Sequence, residues 1–354
     1  MENIPSGEMT ASVTRFQSAI GLLLIGVCCG TFLAVDLLAN NEAIEDWFRD
    51  RELEFRERSN LVFPNRGYFV DFEDRLLMDE LPRADYSQGG VYFFGSSNLK
   101  WGLMLWELPP ERRRLVHSYA IGSTNHTFQF QFIRYLAERK GWLEAGGEKT
   151  RVILAVCYRS GVEKGDFFPK LWTRHGLYDY DPGSGISDSQ MTPMAKWYTI
   201  ERERCSGFLR VLGQEVERSR HRSAVLRRTH DHRAYRKRLV AAIEATDWRE
   251  TMDREVAELG RLIDYLRDRR VGVTVVLLPR IGWTNELPYP AYYKKGVTEV
   301  CESRSVDLHD LSDLLPDEVF VDSSHVNLAG LQKQHAALMS IATEQVRQIK
   351  GDEP

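Results

Sequence analysis

Val91-Tyr92-Phe93-Phe94-Gly95-Ser96-Ser97-Asn98 joins a short apolar, aromatic run to a glycine and two serines. A run of this length, rich in residues that suit a pleated backbone and closed by turn formers, reads as a buried strand entering a tight turn. Similar runs recur at Val116 to Ile121 (VHSYAI), Val152 to Cys157 (VILAVC), Val273 to Leu278 (VTVVLL) and Val306 to Leu311 (VDLHDL). Helical spacing falls between them: Phe128, Phe132, Tyr135 and Leu136 in one stretch, Val256, Leu259, Ile263 and Leu266 in another. Leu328, Leu331, Ala336 and Leu338 begin a last one. Apolar strands alternating with amphipathic helices imply a mainly parallel sheet covered on both faces, an α/β fold of three layers.

This domain is expected over residues 86–350, interrupted by an insertion at about 160–248. The insertion is first aromatic and loop-like, then basic and helical. From Arg202 to Arg238 it holds eleven arginines and one lysine against Glu203, Glu215, Glu217 and Asp231. That pattern is a solvated helical face or a surface for anionic lipid head groups or an anionic polymer, the solvated face being the plainer account.

Upstream, Phe16 to Val35 runs FQSAIGLLLIGVCCGTFLAV with no charge between Arg15 and Asp36, about the length a helix needs to cross a bilayer. Residues 1–15 are read as a tail, 16–38 as a single uncleaved transmembrane anchor and 39–85 as a charged stalk without chemistry. A cleaved signal peptide is the main competitor, but no small-x-small site follows before Glu42, Glu45 and Asp46. A lipoprotein signal at Cys28 wants a small residue where Val27 stands. Arg15 is the tail's single basic residue, set against Glu2 and Glu8, so charge does not fix the orientation. A short tail, one early helix and a long soluble domain lead us to expect that domain outside the cytoplasm.

The whole chain, 354 residues with a formal charge of −4, has no basic excess of the kind that marks nucleic-acid binders. Of five cysteines, Cys28 and Cys29 lie in the apolar run and Cys157 in a strand, leaving Cys205 and Cys301 as a pair or as two free thiols. No C-x-x-C pair or Cys/His cluster has zinc spacing, and no metal or cofactor is expected.

Ligands of open parallel sheets collect beyond the carboxyl ends of strands. Three polar segments qualify: Gly95-Ser96-Ser97-Asn98, Gly122-Ser123-Thr124-Asn125 and, before the last helix, Asp322-Ser323-Ser324-His325. A serine hydroxyl needs a base to remove its proton, and the base needs a carboxylate to fix its tautomer and stabilise the cation that forms. Ser97 as nucleophile, His325 as base and Asp322 as orienting acid fit those roles. The backbone N–H groups of Ser97 and Gly122 are candidate oxyanion donors, with the Asn125 amide as a third.

These residues resemble the SGNH (GDSL-type) hydrolase superfamily, whose nucleophile follows the first strand in a G-D-S motif and whose D-x-x-H lies near the C-terminus. The resemblance runs from about Val91 to the end, outside the insertion, and implies a flavodoxin-like three-layer α/β/α fold. With the apolar N-terminal stretch and the G-S-S variant at Gly95 to Ser97, the chain looks most like the membrane-anchored DltD-type branch. That branch implies acyl transfer, of D-alanyl or acetyl groups, to a cell-envelope polymer. It also implies an acyl carrier and a membrane-bound O-acyltransferase as partners, and an extracytoplasmic site at the cell membrane. The chain departs from the superfamily in two places. Ser96 replaces its usual aspartate, and Tyr158-Arg159-Ser160 stands where G-x-N-D would supply an asparagine donor. Hydrolysis by water is thereby less favoured than transfer, and a non-catalytic adaptor presenting polymer or carrier stays open.

Arg280, at the end of the Val273 strand, could hold an anionic substrate group or form a surface ion pair. His175 could line an acceptor site or pack in a loop, and Asp179 and Asp181 read as a turn. His230 and His232 lie among arginines that would repel a metal cation. His117 and His309 read as strand histidines.

Overall fold

The computed structural model describes residues 23, 26, 27, 29–39, 41–57, 73, 76–144, 146–162, 167–220 and 232–351. Five parallel strands form its central sheet in the order β2-β1-β3-β6-β7. They are β1 (Gly90–Gly95), β2 (Val116–Ala120), β3 (Thr150–Val156), β6 (Gly272–Leu277) and β7 (Asp307–Asp310). All five lie where the apolar runs place them. A short antiparallel hairpin, β4 (Tyr178–Asp181) and β5 (Gly185–Asp188), stands apart. The sequence leads us to expect a turn at Asp179 and Asp181. Asp181 does hold the turn, its carboxylate accepting from the Gly183 and Ser184 amides, but Asp179 is paired in β4.

The helices are α1 (Glu42–Glu57), α2 (His126–Arg139), α3 (Phe167–Thr173), α4 (Pro193–Arg220), α5 (His232–Glu244), α6 (Trp248–Arg267), α7 (Pro288–Arg304) and α8 (Leu328–Lys350). Side chains alternate across a strand, so each central strand feeds two cores. Tyr92, Phe94, Val152, Leu154, Val275 and Leu277 face one core with residues of α2, α6 and α7. Val91, Phe93, Ile153, Ala155 and Val276 face the other with Leu338, Ile341 and Ala342 of α8. β1, β3 and β6 are thus covered on both sides, which is why their sequences are apolar almost throughout.

On the first side His126, fully buried, bonds the Tyr293 hydroxyl at 2.7 Å and links α2 to α7. Burial pulls its pKa down to about 4, so it holds this contact as a neutral ring. Glu255 of α6 accepts from the backbone and hydroxyl of Thr127 at the start of α2. The hairpin packs on α2 and α3 through rings: Tyr180 meets Phe128 of α2 and Phe168 of α3, and Tyr178 meets Tyr135 of α2 and Trp172 of α3 edge-on.

The C-terminal end of residues 39–85, expected as a stalk, belongs to the domain. Leu76, Leu77, Met78 and Leu81 are buried in the first core, and Glu73 is buried too. The apolar side chains after Glu73 make this segment part of the domain, although the charged residues before it suggested a solvated spacer. Near the N-terminus, Ala39 and Phe48 pack against Phe208 and Val211 of α4, so the basic insertion meets the chain that leads out of the apolar stretch. No helix among the described residues is long and apolar enough to cross a membrane, and residues 16–22, 24, 25 and 28 of the expected anchor lie outside the described residues. Cys205 and Cys301 are both buried free thiols rather than a disulfide.

In this strand order the chain runs from β1 to β2 on one side and then crosses to β3 on the other, so a crevice opens at the carboxyl ends of β1 and β3. Gly95 ends β1 at that point. A Cβ there would stand 2.7 Å from the Ala155 carbonyl oxygen and 2.9 Å from Leu99 Cβ, because the turn after β1 packs directly on β3. Gly95→Ala is expected to destabilise the fold by about 1–3 kcal/mol, read as a lower urea midpoint at unchanged m value.

Candidate active site

Ser97 begins a single helical turn, Ser97–Lys100, directly beyond β1. Its hydroxyl is half-buried and donates to His325 Nε2 at 2.9 Å. His325 in turn donates from Nδ1 to Asp322 Oδ2 at 2.6 Å. Ser97 and His325 are 228 positions apart in the chain. They meet because the loop before α8 returns to the crevice where β1 ends.

That loop is held by its own backbone. Phe320 and Val326 pair as an antiparallel bridge, and Val321 N donates to the His325 carbonyl at 2.8 Å. The second carboxylate oxygen of Asp322 accepts from the amides of Ser324 and His325 at 2.9 and 2.8 Å, an Asx turn that fixes the histidine backbone while the first oxygen fixes its ring. Asn327 then caps α8 by accepting from Gly330 N. The D-x-x-H spacing is thus what a three-residue turn needs to bring carboxylate and imidazole side by side.

Burial by itself raises the Asp322 pKa. The hydrogen bond and charge of His325, with the two backbone amides, outweigh it and hold the group down at about 2 against an ordinary 3.8. The folded value lies below the unfolded one. The bonded carboxylate therefore stabilises the fold fully above 3.8, and that stability is lost as the pH falls towards 2. The loss amounts to about 2 kcal/mol. In urea titrations Asp322→Asn is expected to lose about that much less stability than the unsubstituted chain over the same pH interval.

Gly122, just past β2, lies beside Ser97: a Cβ on it would come within 4.0 Å of Ser97 Cβ. Ser123 next to it adopts the left-handed region at φ 53°, an uncommon conformation for a residue with a side chain and one that gathers at functional turns. The Gly122 N–H points at a protein anion, donating to Glu73 Oε1 at 3.1 Å. The other oxygen of Glu73 pairs with Lys100 Nζ. Asn125 is used locally as well, its side-chain oxygen capping α2 by accepting from Phe128 N at 3.0 Å.

Arg280 follows β6 at the same sheet edge, and its neighbour Ile281 donates to the Ser323 carbonyl of the loop before α8. Its guanidinium bonds Asn285 Oδ1 and lies 3.9 Å from Asp313. His175 lies in the turn ahead of β4 and makes no hydrogen bond to Ser97, His325 or Asp322. His117 stacks on Tyr92 within the sheet, and burial pulls its pKa down to about 4. No cluster of metal-ligating side chains occurs among the described residues.

Glu73 and Lys100 are the charged neighbours that sequence reasoning passed over. Lys100 carried a signal, since a lysine three residues after Ser97 on a helical turn shares its face. Glu73 carried none, being one acid among many in a charged stretch.

No family model and no curated protein matches the chain. Among solved structures it is similar to a Bacteroides fragilis protein provisionally assigned as an acylhydrolase, at 11% identity and TM-score 0.37, over 76% of this chain and 93% of that one. It is also similar to a GDSL-like lipase from Bacteroides thetaiotaomicron, at 8% identity and TM-score 0.40, over 77% and 98%.

Proposed function

We propose that the chain is an SGNH-type serine acyl-transfer enzyme in which Ser97 attacks an acyl ester or thioester, His325 moves the proton and Asp322 orients the ring. The observation that carries the reading is the Ser97–His325–Asp322 relay, with both bonds at hydrogen-bond length and the carboxylate held ionised. In the first half-reaction Ser97 Oγ bonds the acyl carbon, its proton passes to His325 Nε2, and the leaving group takes that proton as its bond breaks. In the second half an acceptor hydroxyl, or water, gives its proton to His325 and takes the acyl group, restoring the serine.

The finer reading is a membrane-tethered transferase of the DltD-like branch, moving D-alanyl or acetyl groups onto a cell-envelope polymer beside a membrane-bound O-acyltransferase. Its supports are the uncharged stretch Phe16–Val35, the Gly95-Ser96-Ser97 variant and the absence of a G-x-N-D donor after β3. The basic insertion, joined through Phe208 and Val211 to the segment that follows the apolar stretch, suits an anionic membrane surface. One observation favours a second reading, the non-catalytic adaptor: the Gly122 N–H is occupied by Glu73 rather than open.

A fluorophosphonate probe separates the two readings. An enzyme is expected to be labelled at Ser97, with labelling lost in Ser97→Ala and sharply reduced in His325→Ala. An unlabelled chain whose Ser97→Ala form keeps full function in cells would mark the adaptor. Rapid turnover of 4-nitrophenyl acetate without an acceptor would favour a deacylase over a transferase.

A further inference from the structure

Beside Ser97 the resting chain already holds an anion. The Glu73 carboxylate accepts from the Gly122 amide through one oxygen and pairs with Lys100 Nζ through the other, so a single carboxylate spans both donors. Glu73 is 5% exposed, and the Lys100 side chain is 11% exposed, with its ammonium 4.7 Å from the centre of the Trp101 ring. Ser97 and Lys100 are one helical turn apart and share a face, while Gly122 flanks the same serine from the β2 side. Two donors, one of them cationic, thus converge next to the nucleophile on a negatively charged oxygen pair.

Stability is a weak reason to place an ion pair there, because a buried pair is often no better than apolar side chains of similar volume. The charge that needs such donors in an acyl-transfer site is the oxygen of the tetrahedral intermediate. Building on the assignment of Ser97 as nucleophile, we propose that Gly122 N–H and the Lys100 ammonium are the oxyanion donors of this site, and that Glu73 occupies them until an acyl group enters. Lys100 is then a catalytic residue that stands in for the asparagine missing after β3.

As the Ser97 Oγ–carbon bond forms and its proton passes to His325 Nε2, the carbonyl π pair moves onto the acyl oxygen. That oxygen takes up the Gly122 N–H and a Lys100 N–H, and the Glu73 carboxylate turns to water with its charge. When the leaving group departs with the proton from His325, the pair returns to the carbonyl. Once the acyl oxygen has left the site, Glu73 pairs with Lys100 again. The device favours substrates whose carbonyl binds strongly enough to displace a carboxylate, and it suppresses adventitious hydrolysis.

The test measures the rate of fluorophosphonate labelling, and kcat and KM for 4-nitrophenyl acetate, on the full chain and on Lys100→Met, Glu73→Gln, the double variant and Ser97→Ala. Lys100→Met is expected to lower labelling and kcat by about 100-fold or more. Glu73→Gln is expected to label at or above the unsubstituted rate, since a neutral amide holds the donors less tightly. The double variant has no unpaired buried charge, so its melting temperature reports a sound fold, and its labelling is expected to stay as low as that of Lys100→Met. Recovery of full labelling in the double variant, a full rate in Lys100→Met, or a slow rate in a folded Glu73→Gln would each overturn the assignment, while Ser97-dependent labelling persists. An unsubstituted chain that does not label at all overturns the acyl-transfer reading of Ser97 and this assignment with it.

Discussion

Ser97→Ala is expected to lower kcat/KM for an activated ester by about four orders of magnitude or more, with the fold intact. The hydroxyl is half-buried at the start of a helical turn and makes one side-chain bond, to His325, so its removal leaves a small void and no stranded charge. What is lost is the covalent route. His325→Ala should cost nearly as much, because without a base the serine stays a protonated alcohol. The double variant should lose little beyond either single one. The two groups act as a unit, and the rate that remains belongs to whatever donors and binding contacts survive. Steady-state kinetics of the three proteins check this; losses that multiply would show that Ser97 and His325 act independently and would sink the relay.

Asp322→Asn is expected to lower kcat by about 10⁴-fold with little change in KM. The asparagine keeps an oxygen for the Ser324 and His325 amides, so the loop stays closed. Its NH₂ group, however, faces His325 Nδ1, which now has to accept rather than donate. The ring proton moves to Nε2, the nitrogen that must take the proton from Ser97. Base and nucleophile then meet with the wrong tautomer although every heavy atom is in place. Asp322→Ala should be worse in one respect, since it also removes the Asx turn and is expected to lower the melting temperature. A kcat for Asp322→Asn within tenfold of the unsubstituted value would show that the carboxylate does not set the histidine's state.

Much of the fold was legible because buried parallel strands have little choice of composition. Val91–Phe94 and Val152–Cys157 are apolar at every position, and Val273–Leu278 at every position but Thr274, since each faces a core on both sides. α6 and α8 were legible from their helical spacing. α7 was not, because Pro288, Pro290 and its tyrosines blur the periodicity, and its buried face is recognised by what it packs against rather than by spacing. The hairpin β4–β5 was missed for another reason. Its strands are four residues each and full of Asp, Ser and Gly, and they are ordered by rings of the adjacent α3 and of α2 far upstream in the chain.

The motif Gly95-Ser96-Ser97 and the spacing Asp322 to His325 determine on their own that a serine pair follows a strand and that a carboxylate can sit beside an imidazole. Both are local facts, set by the pleat of a strand and the reach of a three-residue turn. Only the tertiary structure decided that His325 reaches Ser97, since the strand order β2-β1-β3 opens the crevice and the α8 loop returns to it. It alone also decided that Glu73, from a segment that reads as a charged spacer, lies buried against Gly122 and Lys100. A charge in sequence is indistinguishable from any other charge. Its meaning comes from the low-dielectric surroundings and the partners that folding brings to it.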